Sequence, residues 1–197
     1  MRRVLAFLAL GMAVGCSDRL SSDEEAELAY LGLDVAIERA LNLGMDGYNA
    51  ASSANIPAQE DDGDVSGTMT ITGQVDQGAS NNKELRLEIA LEDYSDFVDL
   101  DEDEDEEVAI TYDTEASDLP QLDLSLRNIP DGTLEGTLVG TFLMIGDLEG
   151  EVALDLDIAG EIENDGAEGL QRVTGTTTVI GTATSESGGI YEVDIIR

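Results

Sequence analysis

Histidine and tryptophan are absent from this chain, and cysteine and lysine occur once each, as Cys16 and Lys83. Without histidine the chain lacks the one side chain that ordinarily changes charge near neutral pH. That excludes His-based nucleophilic triads, His metal ligands and most general-base chemistry. A single cysteine excludes an internal disulfide and any paired-cysteine metal or redox motif. No glycine-rich loop leads into a lysine, as phosphate cradling requires, and Gly-x-Gly-x-x-Gly before a helix is missing. Cations are equally scarce: 9 Lys and Arg face 44 Asp and Glu, a formal net charge of −35. A surface of that sign repels nucleic acid and anionic membranes and concentrates cations. Aromatic residues make up 4% of the chain, yet 42% of it is apolar and regularly patterned. The charge is therefore an acidic coat on a folded body and not a mark of global disorder.

The one long apolar run lies at the start. Met1-Arg2-Arg3 forms a positive head, and Val4 to Gly15 is apolar and ends in small residues. This is the layout of a secretory signal peptide, and it is shorter than the roughly 18 apolar residues a membrane-spanning helix needs. Cys16 follows directly on Gly15. The stretch Ala13-Val14-Gly15-Cys16 resembles the lipobox of bacterial lipoproteins, with Ala13 standing where that pattern more often carries Leu. The resemblance covers residues 1–16 only. It implies a diacylglyceryl thioether on the Cys16 sulfur, cleavage after Gly15, acylation of the new amino terminus and a place in the cell envelope. Ser17, beside the lipidated position, points to the outer membrane over the inner one. Two or three acyl chains hold a protein firmly, since each buried methylene contributes about 0.8 kcal/mol.

Beyond a signal peptide over 1–15 and a tether over 16–21, residues 22–197 have the length of a single domain. Ser22-Asp23-Glu24-Glu25 fits a capping box, with acids at the positive end of the helix dipole. A helix is expected over 23–44. Stepping 100° per residue places Ala29, Leu33, Ala36, Ile37, Ala40, Leu41 and Gly44 on one broad face, so the helix should be buried. Residues 45–63, with Pro57 and Asp61-Asp62-Gly63, read as a loop.

From 64 to 197 the period falls to two. Eight strands are expected: 65–75, 83–91, 108–112, 122–126, 134–144, 152–162, 173–183 and 191–195. Turns are expected at Pro130-Asp131-Gly132, Gly146 to Gly150, Asp165-Gly166 and Gly188-Gly189. Short connections between successive strands predict an antiparallel meander. Glycines 67, 73, 136, 140, 175 and 181 lie in phase with the buried residues, at positions where a strand can bend or be approached closely. Since the helix is also rich in Ala and Gly, the predicted fold is a curled sheet or barrel wrapped around that helix. A two-sheet sandwich with the helix at one edge is the alternative.

The most acidic stretch is Asp93 to Glu107, unbroken in acids from Asp101 to Glu107. Oxygen-rich clusters suit Ca²⁺, but the helix-loop-helix calcium pattern fails here. Counting from Asp99, Glu104 stands where Gly is required and Ile110 where the bidentate Glu belongs. What remains is a solvated acidic loop in which Asp99, Asp101, Asp103 and Asp105 are candidates for weak divalent-cation binding. The carboxylates of Asp155 and Asp157 fit the residue types of a glycosidase pair, yet they alternate with Leu154, Leu156 and Ile158 and so belong to a solvent face. The leading expectation is a lipid-anchored, non-enzymatic envelope protein with a structural, interaction or cation-binding role, engaging an envelope protein or a cation through its outer strand faces or acidic loop. The alternative is a carrier of a hydrophobic ligand enclosed by the curled sheet.

Overall fold

The computed structural model describes residues 19–98, 108–164 and 169–197. It is built from one helix and ten strands, all ten in one antiparallel sheet. Helix α1 spans Asp23–Ala50. Ser22 caps it, its hydroxyl accepting from the Glu25 amide at 3.2 Å. The Glu25 carboxylate reaches one residue beyond the expected partner, to the Ser21 amide at 2.5 Å and its hydroxyl at 2.9 Å. The helix runs six residues past the expected end at Gly44. Gly44 and Gly47 do not stop it because both lie on its buried face, where the side chains of Leu85, Leu87 and Ile56 occupy the space a Cβ would need.

The strands are β1 (Asn55–Asp62), β2 (Ser66–Val75), β3 (Lys83–Ser95), β4 (Ile110–Asp113), β5 (Gln121–Arg127), β6 (Gly132–Gly146), β7 (Gly150–Asn164), β8 (Leu170–Arg172), β9 (Thr178–Ser185) and β10 (Ile190–Ile196). The main path through the sheet is β1-β2-β3-β4-β6-β7-β9-β10. The expected meander is thus observed, as one sheet and not two. Strands β4 and β5 fill successive stretches of the same lane between β3 and β6. In the same way β8 and β9 pair with successive stretches of β7.

Two expectations are corrected. The segment assigned to a loop over 45–63 contains the last turn of α1 and an edge strand, β1. Pro57 lacks an amide to donate, and the register slips between Ile56 and Gln59, which fits the rule that proline in a sheet sits at edges and irregularities. The expected strand 173–183 is broken. Gly175 has φ +77, and the Thr176 amide and hydroxyl both bond to the Val173 carbonyl, so Thr174-Gly175-Thr176 makes a turn between β8 and β9. The expected turn at Asp165-Gly166 lies outside the described residues.

The sheet curls into a partial ring with β1 and β10 as its free edges, and α1 packs against both. Alternation along each strand sends one set of side chains toward the helix. Tyr30, Tyr94, Tyr112 and Phe142 are the largest fully buried side chains. Tyr112 meets Phe142 edge to face, with ring centroids 6.4 Å apart, and its hydroxyl donates to the Ala29 carbonyl of α1 at 2.9 Å. The helix supplies the small residue this approach demands, Gly32, directly under the Tyr112 ring.

The strand glycines act differently from the expectation that they meet the helix. A Cβ on Gly73 or Gly181 would strike the carbonyl of Arg86 or Asp155 on the adjacent strand. They let neighbouring strands coil tightly and so produce the curl, whereas the helix contacts rest on the helix's own glycines.

Gly32→Ala is expected to lower the thermal midpoint. Alanine is the better helix former by about 1 kcal/mol, but overpacking a buried ring typically costs about 1–3 kcal/mol and occasionally more. Tyr112→Phe in the same background should recover part of the loss, because the hydroxyl is the atom nearest the added methyl. Scanning calorimetry of the two single variants and the double variant checks this; a Gly32→Ala midpoint at or above wild type would contradict the close approach.

Candidate functional site

Cys16 and the acids Asp99, Asp101, Asp103 and Asp105 lie outside the described residues. The described ionisable side chains that are buried or largely buried gather where α1 meets the sheet. Two arginines organise them, one on each flank of the helix.

Arg39, on α1, faces the β1–β3 side. Its guanidinium donates to the Asp61 carboxylate at 2.7 Å, to Asp96 at 3.3 Å and to the Tyr94 hydroxyl at 3.1 Å, and lies 3.2 Å from Asp64. Tyr94 in turn donates to Asp96 in a short bond. Asp96 also accepts from the Asp64 amide at 2.8 Å. Burial, reinforced by the bond to Asp96 and its negative charge, pushes the Tyr94 phenol well above its ordinary range. It stays protonated and serves as a donor.

Arg172, on β8, faces the other flank. It grips Asp34 of α1 with two nitrogens, at 2.8 and 3.0 Å, and donates to the Asp34 carbonyl at 3.0 Å. Its Nε approaches Glu38 at 3.5 Å. Asp34 also accepts from Tyr30 at 2.6 Å and lies 3.6 Å from the Arg197 guanidinium. One helical turn beyond Glu38, Asn42 exchanges two 2.9 Å bonds with the amide and carbonyl of Leu170. The Glu38 carboxylate takes the Arg172 amide at 3.2 Å. Helix side chains therefore pair with backbone groups of β8.

Burial alone would raise the Asp34 pKa. The hydrogen bonds and charge of Arg172, the Tyr30 bond and the charge of Arg197 outweigh it and hold the carboxyl below the usual range. The chain's one lysine is committed in a similar way. Lys83 is 4% exposed, donates to the Gly78 carbonyl at 2.7 Å and stands 4.4 Å from the centre of the Tyr48 ring. These bonds fix the helix in place. None of them presents an activated nucleophile or a free base to solvent.

Asp155 and Asp157 point outward from β7, and both are exposed. Asp155 pairs with Val139 of β6, and Asp157 with Thr137. Among the described residues no group of three or more His, Cys, Asp or Glu is arranged to hold a metal ion. Surface depressions among the described residues include three of several hundred Å³. One, of about 390 Å³, lies at the carboxyl end of α1 between Asn42, Met45, Asn49, Asn81, Ile129 and Leu170. A second, of about 370 Å³, is acidic, with Glu60, Glu92 and Asp113 among threonines. The third, of about 290 Å³, lies on the outer face of β3, β5 and β6.

Sequence reasoning missed both arginine clusters. The available signal was the rarity of the residue: an arginine among acids on an otherwise apolar helix has a reason to be there. No protein family, curated protein or solved structure matches this chain.

Asp34→Asn is expected to destabilise the protein at pH 7 by about 3–5 kcal/mol, the typical cost of removing one partner from a buried ion pair. A carboxyl held lower in the folded chain than in the unfolded one stabilises the fold above its ordinary pKa, and that contribution disappears as pH falls through the folded value. The stability gap between wild type and Asp34→Asn should therefore narrow on acidification below about pH 4. Denaturant melts at several pH values check it; a gap independent of pH would assign the loss to packing alone.

Proposed function

We propose that this protein is a lipid-anchored component of the bacterial cell envelope, held through Cys16 in the outer membrane, with a non-enzymatic binding role exercised through its outer surface. The observation that carries the reading is the leader: a positive head, an apolar run of sub-spanning length and a cysteine directly after a small residue. The described ionisable groups that are buried are engaged in holding α1 to the sheet, which favours a binding role over a chemical one. The interior favours this reading over a carrier of hydrophobic ligands. The space such a ligand would take inside the curl holds Tyr30, Leu33, Ile37 and Leu41 of the helix, each buried. The acidic run 101–107 adds loose association with divalent cations to the same role.

Cells grown with a labelled fatty acid should incorporate label into this polypeptide, and Cys16→Ala should abolish the label and release the protein from the membrane fraction. An unlabelled wild-type chain that retains its leader would refute the anchoring. For the cation, millimolar Ca²⁺ should raise the thermal midpoint of the wild type and leave a variant lacking 99–107 unmoved; a wild-type midpoint insensitive to Ca²⁺ would remove that part of the reading.

A further inference from the structure

The outward faces of the strands are mostly threonine and acid, with one ordered exception. Strand β6 carries Val139, Leu143 and Ile145 on its solvent side, 45%, 42% and 50% exposed. They alternate with the inward Leu138, Phe142 and Met144, and Thr141 is the one polar residue among them on the outer side. Single exposed apolar residues are ordinary, whereas three on one face of one strand, with Leu143 and Ile145 adjacent on that face, form a patch of the kind found at interaction sites. The ladder fixes what borders the row. Leu143 stands between Glu151 of β7 and Asp113 of β4, Val139 between Asp155 of β7 and Gln121 of β5, Ile145 lies beside Thr111 of β4, and Ala153 stands opposite Thr141.

Three kinds of occupant cover such a strip, and electrostatics separates them. An anionic membrane surface is repelled by the carboxylate rim and by the formal charge of −35. A second copy of the chain brings the same charge to the same rim. A partner segment that is apolar along its centre and basic along its flanks satisfies both features at once.

The dimensions match. Residues 139 to 145 extend about 20 Å at about 3.4 Å per residue, and the flanking strands set their carboxylates about 10 Å apart. A helix of about 14 residues is about 21 Å long and 10 Å wide, and its apolar stripe would lie on the row with lysines or arginines reaching either rim.

We infer that the outer face of β6 is a docking surface for a cationic amphipathic helix of an envelope partner. This deepens the binding role proposed above by naming the surface and the chemistry of what it takes. The acidic rim steers and orients the segment, and the row supplies the contact that salt does not screen.

The test uses the full chain with isotope-labelled amides and two synthetic peptides of about 14 residues, both of leucine and lysine in equal composition. In one, the leucines segregate to a single helical face; in the other the order is shuffled. At about 0.15 M salt, where the screening length is about 8 Å, the segregated peptide should bind about tenfold more tightly. Its shifts should centre on 139–145 and 151–155. Leu143→Ser combined with Ile145→Ser should bring it down to the shuffled peptide's affinity. Should that variant lose its fold, Glu151→Gln with Asp155→Asn, both outward on β7, should weaken the segregated peptide by about the same factor. Equal affinity of the two peptides overturns the inference, as does undiminished binding by the folded variant. A dimer that forms as salt is raised and disappears in Leu143→Ser overturns it too, by assigning the face to a second copy. None of these readouts involves Cys16, so failure of the lipid anchor leaves them standing and their failure leaves the anchor untouched.

Discussion

A curled sheet that stops short of closure exposes two edges and an apolar trough, and α1 is the element that meets all three. Its buried face fills the trough, with Leu33, Ile37 and Leu41 set among Leu85, Leu87, Tyr112 and other sheet residues of one continuous core. Its flanks cover the edges. Gly47 admits Ile56 of β1 on one side, and Asp23 accepts the Glu192 amide of β10 on the other. Unpaired strand edges invite association with other chains. Here one edge is blunted by Pro57, Glu60, Asp61 and Asp62, and the helix guards both.

The chain is overwhelmingly anionic, and a helix bearing Asp34 and Glu38 would be pushed away from an acidic sheet by charge alone. Arg39 and Arg172 reverse that at two points. Arg172 is largely shielded from water and Arg39 partly so, and each is surrounded by acceptors. Such pairs often contribute little net stability over an apolar equivalent, yet breaking one leaves an uncompensated charge. Their geometry also sets rotation. Arg39 and Asp34 project to opposite flanks of α1, so a turn of the helix about its axis would break both clusters together. That argues for orientation as their main contribution, with burial of the helix face supplying most of the driving force.

Much of this architecture was legible in the chain because it rests on period and capping. Ser22, the alternation from Met69 onward and the glycine turns each carry a local physical reason that tertiary context leaves intact. The misreadings have equally specific causes. Strand β1 was hidden because Pro57 and five polar or acidic residues look like a loop, and they are tolerated only because the strand is an edge. The break between β8 and β9 was hidden because Val173 and Val179 keep strand-like phase across a turn that Gly175 makes. Glycines 67, 73, 136 and 181 were correctly read as sites of close approach, but the partner was the adjacent strand, a relation fixed by register and invisible in one dimension; Gly140 meets Pro120 instead, and Gly175 makes a turn with no close neighbour. The clusters around Arg39 and Arg172 join residues far apart in sequence, and no local pattern announces them. The row on β6 did leave a trace, since Val139, Leu143 and Ile145 are apolar at positions that alternation reserves for solvent.

Lys83 gives the folded chain an unusual property. Its ammonium, the only side-chain amine present, sits between the Gly78 carbonyl and the Tyr48 ring at the carboxyl end of the helix. Acylating reagents that modify surface lysines at once would find it screened, and would reach it as that end of α1 lifts from β3. The rate of modification at this one atom thus reports how often the helix detaches, a chemical clock that needs no introduced label.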